Sequence, residues 1–125
     1  MNSGAPFRVL VVEDDAGIRR FTTQWLADAG YETRAVEDGA AALDALGWNP
    51  DLILLDLQMP VMDGWQFLDR LTAGGRAAIP PVIVLTATAR RQAEIPRGAA
   101  AMLAKPFDFD LLARSIATYA GARTG

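Results

Sequence analysis

The chain has no cysteine and no histidine, and only one of its twelve cationic residues is a lysine. Without cysteine there are no disulfides, no thiolate nucleophile and no Cys-ligated zinc or iron–sulfur centre. Without histidine the commonest neutral-pH general base is missing, as is any imidazole-bound metal. Any chemistry must use oxygen ligands, hydroxyls, main-chain amides and Lys105. No apolar run approaches the roughly 18 residues of a membrane span. The opening Met1-Asn2-Ser3-Gly4-Ala5-Pro6 lacks the charged and then apolar layout of an export signal. A cytoplasmic location with no membrane partner is therefore expected. Net charge is −3 and the sequence pI is about 4.8. The basic pairs Arg19-Arg20 and Arg90-Arg91 read as solvated helix surface, so direct nucleic-acid binding by this segment is disfavoured. No Gly-rich loop marks a nucleotide site.

What the chain does have is apolar content, 51 % over 125 residues, enough for one domain with a continuous core. Phe7 to Val12 is an apolar run broken only by Arg8 and reads as a buried strand. Ala16 to Ala29 switches to helical spacing, with Ile18, Phe21, Trp25 and Ala29 expected inward and Arg19, Arg20, Gln24 and Asp28 outward. Gly30 suits the end of that helix. Tyr31 to Val36 is more polar and suits an edge strand. Asp38 is placed to cap a helix over about Gly39 to Leu46. Leu52 to Leu55 is the most apolar strand and the natural centre of a sheet. After a turn over Pro60 to Gly64, a helix runs from Trp65 to Thr72 and is broken by Gly74-Gly75. Val82 to Leu85 is a fourth strand. Pro96 and Gly98 then leave room only for a short helix near Arg90 to Ile95. Ala101 to Ala104 is a weak fifth strand, and Phe109 to Tyr119 a last helix with Leu112, Ser115, Ile116 and Tyr119 spaced for packing. The alternation predicts an α/β fold, a parallel sheet of five strands with helices on both faces.

Four polar features each follow an apolar strand: Glu13-Asp14-Asp15, Asp56, Thr86 and Lys105. In parallel α/β sheets ligands bind beyond the carboxyl ends of the strands, so the fold and the chemistry point to one location. Taken singly, each feature has a plain structural reading. An acidic triplet caps a helix, a threonine forms β-strand, and a lysine is a solvated side chain. Asp56 is harder to explain that way, because a carboxylate ending a buried central strand is costly unless paired, hydrogen-bonded or metal-bound. Carboxylates from two adjacent strands can share a hard cation such as Mg2+.

The pieces Val11-Val12-Glu13-Asp14-Asp15, Leu55-Asp56-Leu57-Gln58-Met59-Pro60-Val61-Met62-Asp63-Gly64, Leu85-Thr86-Ala87, Gly98-Ala99 and Lys105-Pro106-Phe107 together resemble the receiver domains of two-component response regulators. The resemblance implies a CheY-like, flavodoxin-like (βα)5 three-layer sandwich with strand order 2-1-3-4-5. It implies a receiver unit over residues 7–120, flanked by flexible tails at 1–6 and 121–125. By position Asp56 resembles the aspartate that accepts a phosphoryl group from a phosphohistidine of a sensor histidine kinase or a histidine phosphotransfer protein. Glu13 and Asp14 resemble the acidic pair that holds Mg2+, and the main-chain carbonyl of Gln58 resembles the remaining protein ligand beside Asp56. Lys105 looks like the ammonium that contacts a phosphoryl oxygen, aimed by a cis bond to Pro106, and Thr86 like the hydroxyl that moves toward the phosphoryl group. Asp15 reads as a cap rather than a ligand.

Two departures bear on output. Met102 stands where the family usually has an aromatic residue three positions before the lysine, and methionine brings neither a hydroxyl nor a rigid ring. The stretch from Thr86 to Gly98 is about three residues shorter than in typical members. These motivate a second reading, a protein-binding module of the same fold that works without phosphorylation. A third class, a Mg2+-dependent phosphatase with an aspartyl nucleophile, generally has a second aspartate two positions after the first, where this chain has Gln58. Self-phosphorylation with slow dephosphorylation is expected, not turnover of a metabolite. The downstream partner is unreadable, and the expected assembly is a monomer or weak dimer.

Overall fold

The computed structural model describes residues 6–56, 64–73, 80–86, 99–104 and 109–124. The elements run β1 (Arg8–Val12), α1 (Ala16–Asp28), β2 (Glu32–Val36), α2 (Gly39–Ala45) with a 3-10 turn at Leu46–Trp48, β3 (Leu52–Asp56), α3 (Gly64–Ala73), β4 (Val82–Thr86), β5 (Ala101–Ala104) and α4 (Phe109–Thr124). All strands pair in parallel in the order β2-β1-β3-β4-β5. The more polar β2 is an edge and the wholly apolar start of β3 is the centre, as the hydropathy pattern predicts. The helix expected near Arg90 to Ile95 and the turn over Pro60 to Gly64 fall, but for Gly64 itself, outside the described residues.

The sheet separates two cores because successive strand residues point to opposite faces. Leu10, Val12, Ile53, Leu55, Val82 and Val84 pack against Ala42, Leu46, Phe67, Leu68 and Leu71 of the α2 and α3 side. Val9, Val11, Leu52, Leu54, Ile83 and Leu85 pack on the other face against Leu26 of α1 and Leu112 and Ile116 of α4. Burying both faces of β1, β3 and β4 explains why these strands are continuously apolar rather than alternating. Each fully buried Leu or Ile contributes about 1.5–3 kcal/mol.

Caps set the helix ends. The Asp15 side chain accepts from the Ile18 N–H at 2.9 Å, and the Asp38 side chain from the Ala41 N–H at 2.8 Å. Gly30 takes φ 100° after α1, while the Tyr31 N–H donates to the Leu26 carbonyl at 3.1 Å. This is the left-handed closure that glycine makes without a Cβ clash. A second left-handed residue, Asn49 at φ 61°, turns the chain from the 3-10 turn toward Pro50 and β3.

Two expectations about the helices need correction. The inward face of α1 is Thr22 and Leu26, which are 4 % and 0 % exposed, whereas Ile18 and Phe21 are 44 % and 58 % exposed. Trp25 does pack, partly buried, against the core on that face, as does Phe109 at the start of α4. The Phe109 ring lies edge-on to Phe21 and Trp25 at 5.4 and 4.8 Å. On α3, Phe67 joins Leu68 and Leu71 in the core. Finally, α4 continues through Thr124, five residues past the expected end at Tyr119. The run Ala120-Gly121-Ala122-Arg123 carries no proline, so nothing in it forces a stop.

Arg8 stitches the amino-terminal side of the sheet. Its N–H donates to Asp51 Oδ2 and its carbonyl accepts from the Asp51 N–H, both at 2.8 Å, while its guanidinium reaches Glu32 Oε1 at 3.2 Å and the Trp48 carbonyl at 2.6 Å. The guanidinium carbons of Arg8 and Arg34 lie 5.4 and 5.1 Å from the Trp48 ring centroid. Replacing the fully buried Ile53 with alanine is expected to lower the unfolding free energy by about 2–5 kcal/mol. Asp38→Ala should cost about 1 kcal/mol through the lost cap. Urea denaturation would measure both.

Candidate functional site: an acidic pocket at the carboxyl edge of the sheet

Strand register brings the polar residues together. In the β1–β3 pair Val12 lies opposite Leu55, so the next residues, Glu13 and Asp56, leave the sheet side by side. The Glu13 N–H still donates to the Val36 carbonyl at 3.1 Å, extending the β1–β2 pairing by one step and fixing the start of the loop. In the β3–β4 pair Asp56 lies opposite Leu85, with Thr86 next; Thr86 in turn pairs with Ala104, the residue before Lys105. Four adjacent strands, β1, β3, β4 and β5, thus end within about two residues of one another along the register.

Glu13, Asp14 and Asp56 each present a carboxylate oxygen within 4.8 Å of the others. Glu13 and Asp56 are buried, at 3 % and 5 % exposure, while Asp14 is exposed. Both Glu13 and Asp56 make interactions in the fold. The Asp15 N–H donates to Glu13 Oε2 at 3.2 Å, and the Asp15 carboxylate turns away to cap α1. That division of labour is why Asp15, though part of the acidic triplet, stands apart from the cluster. Of the other residues singled out in the sequence, Thr86 is placed at the end of β4, and Gln58 and Lys105 lie outside the described residues. Met102 sits on β5 opposite Val84.

Three carboxylates this close repel one another, a cost that a cation relieves. The donors are all oxygen, two of them held in the protein and one facing solvent. This fits a hard divalent cation that keeps several waters, as Mg2+ does, better than a metal seeking nitrogen or sulfur.

A family model described as the response regulator receiver domain matches residues 9–117, most of the chain and all the strands that build this pocket. The chain belongs to that family. This receiver domain is 39 % identical over 114 residues to the response regulator MprA of Mycobacterium sp. strain KMS, which covers 87 % of the chain and 49 % of MprA. Among solved structures it resembles the Francisella response regulator 1452 receiver domain at 32 % identity and a TM-score of 0.81, covering 97 % of this chain and 100 % of the other. It also resembles the response regulator TrrA of Thermotoga maritima, solved in complex with Mg2+-BeF, at 29 % identity and a TM-score of 0.78, covering 90 % and 97 %. The chain spans about half the length of the curated relatives it matches. Among the described residues no helix is long and apolar enough to cross a membrane.

The receiver domain should be stabilised by a divalent cation, because binding to the folded state alone shifts unfolding by mass action. Millimolar Mg2+ is expected to raise the melting temperature of the wild type. Asp14→Asn should melt higher than wild type in metal-free buffer and gain less from Mg2+. Differential scanning calorimetry with and without the ion checks both directions.

Proposed function

We propose that this receiver domain accepts a phosphoryl group on Asp56 from a phosphohistidine of a sensor histidine kinase or histidine phosphotransfer protein, in two-component or phosphorelay signalling. The observation that carries the reading is a nearly buried carboxylate closing the central strand, gathered with Glu13 and Asp14 within 4.8 Å. A carboxylate oxygen of Asp56 attacks phosphorus as the bond from phosphorus to the donor nitrogen breaks. The imidazole keeps the electron pair and Asp56 becomes an acyl phosphate. Burial holds the nucleophile in one orientation, so much of the barrier is met by positioning.

Glu13, Asp14, Asp56 and the Gln58 carbonyl are assigned to hold Mg2+, the ion present with BeF in the TrrA complex. When bound, the ion supplies charge that offsets repulsion between phosphoryl oxygens and the acidic pocket. Lys105 follows Ala104 at the end of β5, one strand over from the phosphoryl acceptor's neighbour, and is assigned to contact a phosphoryl oxygen as a point charge. Thr86 is assigned as the hydroxyl that hydrogen-bonds the phosphorylated state. We take the receiver unit as residues 7–120 and its setting as cytoplasmic. The related MprA and the transcriptional regulatory protein HprR of Escherichia coli are about twice this length.

Intact mass of wild type and Asp56→Asn, with and without Mg2+, tests the proposal. One added phosphoryl group is expected in wild type only, and lost without Mg2+. If a small-molecule phosphodonor and a phosphorylated histidine kinase both leave the wild type unmodified, the proposal fails.

A further inference from the structure

The loop carrying Glu13 and Asp14 is braced from the helix that follows it. Arg19, in the first turn of α1, is half-buried, and its Nη1 nitrogen donates to the Glu13 carbonyl at 2.9 Å and toward the Asp14 carbonyl at 3.4 Å. These are the two loop residues whose carboxylates stand with Asp56. The main chain behind the pocket is therefore tied to α1 at two consecutive carbonyls. The third loop residue, Asp15, is tied through its N–H to Glu13 and through its side chain to Ile18. Hydrogen bonds from a guanidinium are charge-assisted and stronger than those between neutral groups.

We propose that Arg19 is a positioning residue for the divalent-cation site, holding the turn of main chain from which the Glu13 and Asp14 carboxylates converge on Asp56. This inference rests on the cation-binding reading of the pocket. Two effects of the guanidinium have opposite signs. As a positive charge near the site it disfavours a second cation, so electrostatics alone makes its removal tighten binding. As a brace it keeps the loop in the competent conformation, so its removal weakens binding by the fraction of loop that no longer converges. Groups that orient metal ligands typically contribute ten- to a hundred-fold in affinity. The charge effect of a partly exposed guanidinium is damped by the high dielectric of the surrounding water. The brace therefore outweighs the charge.

A Mg2+ titration followed by amide chemical shifts, at fixed ionic strength, separates the two effects with R19A, R19Q and R20A. Arg20 is exposed and adjacent, so R20A measures loss of charge alone. The expected result is a Kd for Mg2+ raised roughly ten-fold in R19A and several-fold in R19Q, whose amide still donates to a carbonyl. R20A should be unchanged or slightly tighter. A Kd in R19A at or below the wild-type value, or equal shifts in R19A and R20A, would overturn the proposal. If R19A loses its amide dispersion through unfolding, R19Q decides alone, and wild-type affinity in R19Q is the overturning result. Wild type that binds no Mg2+ would overturn the cation reading and the role of Arg19 with it. Wild-type binding with unaffected Arg19 variants overturns only the latter.

Discussion

Repulsion among three carboxylates is the constraint around which this molecule is organised. Glu13 and Asp56 are held nearly out of solvent and Asp14 at its edge, all within 4.8 Å. Like charges in a poorly hydrated site push the chain apart. The fold withstands this because Glu13 and Asp56 stand at the ends of strands whose neighbours are fixed on both sides. β1 lies between β2 and β3, and β3 between β1 and β4. The start of α1 also faces the loop, and the partial positive charge of a helix N-terminus favours acids there.

The opposite edge of the sheet shows how such a load can be carried. Arg8 ties β1 to β2 through Glu32, to the main chain of Trp48, and to the start of β3 through Asp51. Two cores, one on each face, fill the space between that stitched edge and the charged one. Register set at the neutral end is carried along five-residue strands to the acidic end. A one-residue slip in the β1–β3 pair would reverse every side chain and separate Glu13 from Asp56.

Much of this is legible along the chain. Continuous apolar runs name the three central strands, because only a strand covered on both faces reads that way. Asp15, Asp38 and Gly30 name helix ends, since each acts within a few residues of itself. The carboxylates of the pocket are readable for the same reason: they follow runs that must be strands. Less legible are features whose partners are distant in sequence. The face that α1 turns inward depends on packing against a sheet and a last helix distant in sequence, so spacing alone chose Ile18 and Phe21 beside Trp25 where the sheet takes Thr22 and Leu26. Arg8 appears in sequence only as a polar break in a strand, and Arg19 as one member of a basic pair. Their roles lie in carbonyls and carboxylates that no periodicity marks.

By itself, then, the sequence determined the elements, their alternation, the parallel sheet and the chemistry available at the strand ends. Cysteine and histidine are absent and carboxylates are present, and composition is enough to decide that. Only the tertiary structure decided how closely the Glu13, Asp14 and Asp56 carboxylates approach, which face α1 turns to the sheet, and that Arg19 reaches back to the carbonyls of Glu13 and Asp14. The physical reason is range. Propensity, capping and strand burial act over a few residues, whereas a pocket is built from register between strands some forty residues apart.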